Sequence, residues 1–147
     1  MFELTPTQMG IAIAVFVIVT GGAAYGIYRF KLLFRRWAFG NERQKIALAW
    51  RDVEQLMARG DEMSARLAVM HADAVLDKAL QAKHFPGDRF ATRMQFAQKK
   101  YRELRRVWWA HKLRNELSHN PHSSLRGGEA RKAVATFKKA LVDIGAL

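Results

Sequence analysis

The pattern of apolar and polar positions divides the chain into a long uncharged run followed by amphipathic segments. Residues 9–28, MGIAIAVFVIVTGGAAYGIY, pass without a single charge. At about 1.5 Å per residue, a helix of this length spans the roughly 30 Å hydrocarbon layer of a bilayer. A cleaved signal peptide is the competing interpretation, but it would carry its positive charge before a shorter apolar run. Here the cations follow the run, which predicts a retained transmembrane helix.

The charges on either side of this helix predict its orientation. Glu3 precedes it, and four cations follow it closely: Arg29, Lys31, Arg35 and Arg36. Because cytoplasmic flanks carry an excess of Lys and Arg, we expect an inner-membrane protein with residues 1–8 outside and its C-terminal domain in the cytoplasm. Gly22 and Gly26 have the spacing of helix-packing glycines. That spacing fits either dimerisation or small residues tolerated in a membrane helix.

The segment after the transmembrane helix combines cations with aromatic and aliphatic side chains. Residues 29–42 read RFKLLFRRWAFGNE. Both kinds of side chain suit the headgroup zone, so this basic, aromatic segment is predicted to continue the anchor along the interface. Gly40 and Asn41 are predicted to break it, and residues 43–147 to form a cytoplasmic helical domain.

Apolar residues in this domain recur at helical spacing and predict a bundle. The expected helices cover about 42–59, 62–83, 89–97, 98–119 and 129–144. Asp61 and Asp88 are expected N-caps, Gly145 is expected to close the last helix, and no strand-like alternation appears. The fold class is therefore all-α: one N-terminal transmembrane helix followed by a bundle of four to five helices.

Two of the predicted helices have apolar faces that are expected to form the core. The second helix is expected to be central, with a face made by Met63, Leu67, Met70 and Ala74 and widened by Val69, Leu76 and Leu80. The last helix is expected to bury Ala130, Val134, Phe137, Leu141 and Ile144.

Composition and charge narrow the function classes. The chain has no cysteine, which excludes disulfides, thiolate zinc sites and a cysteine nucleophile. Its formal net charge of +12 indicates a polyanionic partner: nucleic acid, an anionic membrane surface, or both.

The predicted fourth helix is strongly basic, with many lysines and arginines and a single acid, Glu103, between residues 98 and 114. Cations combined with Tyr101, Trp108 and Trp109 suit single-stranded RNA, whose phosphates meet cations and whose bases stack on rings. The simpler interpretation is a solvated helix face. The predicted RNA-binding residues are Lys99, Lys100, Arg102, Arg105, Arg106 and Lys112.

The end of this helix holds the most informative polar pattern, Arg114-Asn115 followed by His119. The spacing alone has little value, because it recurs at Arg66…His71 and Arg106…His111. Its context is distinctive: Asn directly follows Arg, and His111, Asn115 and His119 form a polar stripe on one helix face.

This segment resembles the Arg-polar-x-x-x-His signature of HEPN domains, which are small helical bundles found in RNA-cleaving toxins, defence proteins and RNA-processing nucleases. The resemblance implies a metal-independent endoribonuclease in which the sites of two protomers meet across a dimer interface. His119 would activate the ribose 2′-hydroxyl or protonate the leaving 5′-oxygen, Arg114 would stabilise the phosphate charge, and Asn115 would orient groups by hydrogen bonding. It implies a possible homodimer through the fourth helix and a role in defence or stress response.

Asp73 and Asp77 lie four residues apart on the second helix, where like charges repel unless a cation lies opposite. They are predicted either to form ion pairs with cations of the bundle or, together with His111, to orient Arg114 and the site around it. Neither a metal site nor a cofactor is predicted, since the histidines and carboxylates lack ligand spacing. The alternative functions are a non-catalytic membrane-tethered module that binds RNA or a protein, and a purely structural membrane subunit.

Overall fold

The computed structural model describes residues 6–120 and 123–147, and it describes side-chain surroundings for 15–34, 41–120 and 123–147. Regular structure in these residues is helical throughout, which confirms the all-α class. The helices are α1 (Pro6–Ala58), α2 (Glu62–Ala82), α3 (Phe90–Lys100), α4 (Val107–His119) and α5 (Gly127–Asp143), with a 3₁₀ turn at Arg102–Arg106 between α3 and α4. The chain forms two compact units, Met1–Ala38 and Phe39–Leu147.

The first unit contains one helical stretch that is long and apolar enough to cross a membrane. It covers Val15–Phe34, and all of its described side chains are exposed within the chain. The described residues therefore contain one candidate membrane span near the N-terminus, as judged by length and composition. Residues 1–5, which belong to the predicted external segment, lie outside the described residues. A Cβ added at Gly22 or Gly26 would meet no other atom of the chain within 4 Å.

The predicted break at Gly40 and Asn41 is wrong, because α1 runs without interruption from Pro6 to Ala58. A glycine costs a helix only about 1 kcal/mol, which the many helix-forming neighbours on both sides offset. The end of this helix before Gly60 agrees with the sequence, and Gly60 has a φ of +79°.

The core of the second unit lies between α2, α4 and α5, with α1 and α3 packed at its sides. The five residues predicted for α5 are all buried there, as is Leu104 of the 3₁₀ turn. Near the end of α1, Ile46, Trp50 and Val53 are also buried. Gly145 closes α5 with a φ of +67°, which confirms the predicted stop.

The predicted core face of α2 is wrong for four of its members. Met63 is 63% exposed, and Leu67, Met70 and Ala74 also lie on the outer side of the helix. The buried side contains the predicted Val69, Leu76 and Leu80 together with four alanines: Ala65, Ala68, Ala72 and Ala79. Alanines let neighbouring helices approach closely, so packing selected the small residues over the larger apolar ones.

Two local predictions about helix ends have opposite outcomes. The Asp61 carboxylate accepts a hydrogen bond from Ser64 N at 2.8 Å, which confirms the N-cap of α2. Hydrogen bonding from Ser64 also holds the pKa of Asp61 below its usual value. Asp88 does not cap α3, because the N-cap position is Arg89 and it makes no side-chain cap bond.

The single helix predicted over 98–119 is wrong. α3 continues to Lys100, Tyr101 leaves helical geometry, and the 3₁₀ turn precedes α4. Neither glycine nor proline marks this break in the sequence. Ala97 and Leu104, on either side of Tyr101, are both fully buried, so tertiary packing determines where the chain bends.

Candidate functional site

His111 and Arg114 of α4 meet α2 through one buried carboxylate. Asp73 lies on α2 with its side chain only 5% exposed. His111 Nδ1 lies 2.7 Å from Asp73 Oδ1, and Arg114 Nε lies 3.4 Å from Asp73 Oδ2. Because the carboxylate has two partners on α4, it fixes the rotation of that helix against α2.

Asn115 closes this cluster into a ring of four side chains. Arg114 Nη1 donates to Asn115 Oδ1 at 3.0 Å, and Asn115 Nδ2 lies 3.2 Å from His111 Nε2. The donors run in one direction if His111 is neutral with its proton on Nδ1: arginine to asparagine, asparagine to histidine, histidine to carboxylate. The return contact from Arg114 Nε to Asp73 is an ion pair, since that nitrogen is buried and makes no hydrogen bond among the described residues. We call these four residues the Asp73 ring.

Aromatic side chains hold His111 in place within the Asp73 ring. The ring of Phe90, at the start of α3, stacks on His111 with centroids 4.3 Å apart. Trp108 approaches the same imidazole edge-on at 6.1 Å. With both nitrogens engaged and two aromatic rings against it, His111 is a positioning residue in this structure rather than a free acid or base.

His119 lies apart from the Asp73 ring. It is the last residue of α4, its side chain is exposed, and it makes no hydrogen bond or ion pair among the described residues. Five residues separate it from Arg114, which places the two side chains about 140° apart around the helix axis. Arg114 therefore faces α2 while His119 faces outward, and His119 is the imidazole of the motif that remains available for proton transfer. His122 lies outside the described residues.

Asp77 belongs to a separate ion pair. Its carboxylate receives two hydrogen bonds from Arg93 of α3, from Nε and Nη2, each at 2.8 Å. Arg93 Nη1 also donates to Gly87 O at 2.7 Å, which ties the turn before α3 to the bundle. Asp77 therefore does not contact Arg114, whereas Asp73 does.

Sequence reasoning missed a buried arginine that organises the end of the motif helix. Arg66 of α2 is 8% exposed and donates from Nη1 to Leu117 O and Asn120 O, each at 3.3 Å. Its Nη2 donates to Ser123 O. Leu117 O belongs to the last turn of α4, where helix carbonyls lack partners within the helix. Asn120 O and Ser123 O lie just beyond it, and Asn120 O also accepts from the backbone N–H and the hydroxyl of Ser123. One signal was available: Arg66 and Asp73 lie seven residues apart, on one side of α2.

The cationic residues predicted to bind RNA are divided among three elements by the break after α3. Lys99 and Lys100 end α3 and lie over the rings of Phe96 and Tyr101. Arg102 and Arg105 are exposed in the 3₁₀ turn, and Lys112 is exposed on α4. Arg106 differs from these, since its guanidinium binds the carboxylate and the carbonyl of Glu103. Among the residues described, no three His, Asp or Glu side chains group as a metal site.

Comparison with protein-family models, with curated proteins and with solved structures gives no match.

Proposed function

We propose that this protein is a membrane-anchored, HEPN-like endoribonuclease that cleaves RNA without a metal. The observation that carries the proposal is the arrangement of the motif on α4. The Asp73 ring fixes Arg114 and Asn115 in place. His119, the remaining member of the motif, is exposed at the end of the same helix.

The chemistry assigned to these residues is phosphoryl transfer within RNA, from the 5′-oxygen to the 2′-oxygen. The 2′-oxygen attacks phosphorus while His119 takes its proton, and the bond from phosphorus to the 5′-oxygen breaks. His119 then returns the proton to the 5′-oxygen, which leaves a 2′,3′-cyclic phosphate and a 5′-hydroxyl. An imidazole suits this exchange because its ordinary pKa lies close to neutral pH. Arg114 stabilises the phosphate through its guanidinium, whose side chain is 35% exposed.

Two copies of the chain are part of this proposal. Arg114 and His119 of one copy point about 140° apart around α4, so one phosphate does not readily contact both. A homodimer through α4 places His119 of one copy beside Arg114 of its partner. The resemblance to HEPN domains implies the same pairing of protomers.

The proposed localisation is supported by the sequence and by one candidate apolar helix among the described residues. The stretch Val15–Phe34 anchors the chain, and the cations after it favour an inner-membrane protein with the helical domain in the cytoplasm. Anchoring raises the concentration of copies within the membrane plane and so favours the homodimer. A role in defence or stress response belongs to the same proposal.

The test uses the full chain in detergent, incubated with a mixture of RNAs and EDTA. Wild type is expected to cut, His119→Ala to lose at least a hundred-fold in rate, as loss of an acid–base group does, and His71→Ala to cut normally. His71 is the matched control because it is an exposed histidine on α2, outside the Asp73 ring. If His119→Ala cuts as fast as wild type, the catalytic assignment is overturned.

A mixing experiment tests the shared site. Arg114→Ala and His119→Ala are each expected to be inactive, and co-expressed chains are expected to recover up to about a quarter of the activity, because one of the two sites is intact in half of the dimers. If the mixture stays inactive while wild type cuts, the site does not combine Arg114 and His119 from different copies.

The second candidate is a membrane-tethered module that binds RNA without cutting it. One observation favours it: Asp73 already compensates the charge of Arg114, and both nitrogens of His111 are engaged. In that case His119→Ala leaves RNA affinity unchanged. The double charge reversal Arg102→Glu with Arg105→Glu weakens it and reduces its salt dependence.

A further inference from the structure

One face of α4 carries four residues that could follow a nucleic-acid strand. Trp108, Lys112, Asn115 and His119 are spaced by four, three and four residues, which places them in a row along the helix. Trp108 and Asn115 are half-buried, and Lys112 and His119 are exposed. At about 1.5 Å per residue the row is about 16 Å long, with an indole at one end and an imidazole at the other.

The indole of Trp108 is held rigidly by its neighbours. It packs against the core and meets His111 edge-on, with an angle of 76° between the two rings. His111 is itself fixed by Asp73 and Phe90. An aromatic ring that is held in place and still partly exposed loses little freedom when a base stacks on it.

The neighbouring tryptophan is different, although the two are adjacent in sequence. Trp109 lies about 100° further around the helix. Lys132 of α5 stands over its ring at 5.1 Å from the centroid. One ring face of Trp109 is thus covered within the chain, and Trp109 serves as a matched comparison for Trp108.

We propose that Trp108 is a base-stacking residue that selects RNA with an unpaired nucleotide near the cleaved bond. A base stacks on the indole of Trp108, and Lys112 contacts a phosphate between that base and the cleaved bond. The strand then reaches His119. The row contains a cation and no acid, which suits an anionic strand. At 3.4 Å per stacked nucleotide, a row of about 16 Å accommodates at most about five nucleotides between the stacked base and the cleaved bond. This inference rests on the proposed function and adds its substrate class.

The first test measures binding without cleavage, in full-length His119→Ala chain in detergent. The probes are a labelled twelve-nucleotide single-stranded RNA and the same RNA annealed to its complement. Trp108→Leu is expected to weaken single-strand binding about ten-fold, since that is the order of one base–aromatic stack, and to leave duplex binding unchanged. Trp109→Leu is expected to change neither. Equal losses on single strand and duplex, or no loss at all, overturn the proposal.

The second test alters the RNA and leaves the protein intact, so it stays decisive if Trp108→Leu does not fold. An abasic nucleotide is placed at each position in turn within five nucleotides of the cleaved bond. At one position the abasic nucleotide is expected to lower the affinity of a chain with Trp108 about ten-fold. The same substitution is expected to leave the affinity of folded Trp108→Leu unchanged. A flat profile overturns the stacking assignment, while cleavage of the unmodified RNA shows that the proposed function still stands. If wild type binds no RNA, both the stacking role of Trp108 and the proposed ribonuclease function are overturned. The row on α4 would then be a surface for a protein partner.

Discussion

His111 and Asp73 are joined by a 2.7 Å hydrogen bond that connects α4 to α2. Both side chains are largely buried, at 15% and 5% exposure. Around this bond the Asp73 ring gives each polar group of His111 and Asn115 a partner of the right kind, either a donor or an acceptor. The same contact that positions the motif is therefore expected to contribute to folding stability.

Replacing Asp73 tests how much the Asp73 ring contributes to folding stability. Asp73→Asn keeps an oxygen for His111 but places an amide donor opposite Arg114 and removes the compensating charge. We expect a loss of about 2–3 kcal/mol in the free energy of unfolding, the cost of a charged hydrogen bond and a broken, partly buried ion pair. Urea unfolding measures it.

Asp52→Asn is the matched control, because Asp52 is exposed and an exposed substitution changes stability by about 0.5 kcal/mol or less. A loss for Asp73→Asn no larger than that of Asp52→Asn would show that the Asp73 ring adds no stability.

Arg66 is expected to order the loop beyond α4. Arg66→Met removes a buried guanidinium from the carbonyls of Leu117, Asn120 and Ser123. We expect destabilisation by about 2 kcal/mol and faster amide hydrogen exchange around 117–125, because the loop loses its hydrogen bonds to α2. Arg59→Met, an exposed change just after α1, is expected to alter neither quantity. Unchanged exchange in Arg66→Met would contradict this account of the loop.

Acid is expected to weaken the contact between α1 and α5. The ammonium of Lys138, 2.7 Å from Glu54 Oε1, holds the pKa of Glu54 below its ordinary value of 4.5, and the indole N–H of Trp50 contributes as well. Since the pKa of the folded form is lowered, this stabilisation is present above pH 4.5 and is lost as the pH falls through the folded value.

The measurement compares the pH dependence of unfolding in wild type and Lys138→Met. The variant is expected to lose less stability between pH 5 and 3, by under about 1 kcal/mol because the pair is half exposed. Lys78→Met, which removes an exposed cation of α2, is expected to keep the wild-type slope. Identical slopes for wild type and Lys138→Met would contradict the assignment.

The sequence predicted the helices better than their junctions and faces. Glu62–Ala82 and Gly127–Asp143 follow from a cap at Asp61, a glycine at 145 and helical periodicity. The break at Tyr101 could not be predicted, because it contains no glycine or proline and depends on the burial of Leu104. The core face of α2 was misplaced because periodicity favours Met63 and Leu67 over alanines, whereas close helix packing favours alanines.

The candidate site was predictable in its residues but not in its connections. Sequence spacing identified Asp73, His111, Arg114 and Asn115, yet only the fold shows that they form a ring and that Asp77 pairs elsewhere. Long-range pairs leave no periodic signal on either helix. For Arg66 the spacing from Asp73 indicated a shared side of α2, but not the carbonyls that it binds.

The proposed membrane anchor gives a direct prediction in cells. Arginine at the centre of a membrane helix costs about 2.5–3.5 kcal/mol. Ile18→Arg, at the middle of the predicted span 9–28, is therefore expected to lower the fraction of protein that resists carbonate extraction. Leu48→Arg is the matched control, because Leu48 is also an exposed aliphatic residue, 53% exposed against 72% for Ile18, and lies outside that stretch. Release of the wild-type chain by carbonate would contradict the anchor.

The central claim is that His119 and Arg114 cleave RNA by attack of the 2′-oxygen. The most direct measurement uses one RNA in two forms, unmodified and with a single 2′-deoxynucleotide at the main cleavage position, each incubated in EDTA with the full chain in detergent. We expect a cut with cyclic-phosphate and 5′-hydroxyl ends in the unmodified RNA, no cut at the 2′-deoxy position, and no cut by His119→Ala. Cleavage of both forms, or ends that carry a 5′-phosphate, would contradict it.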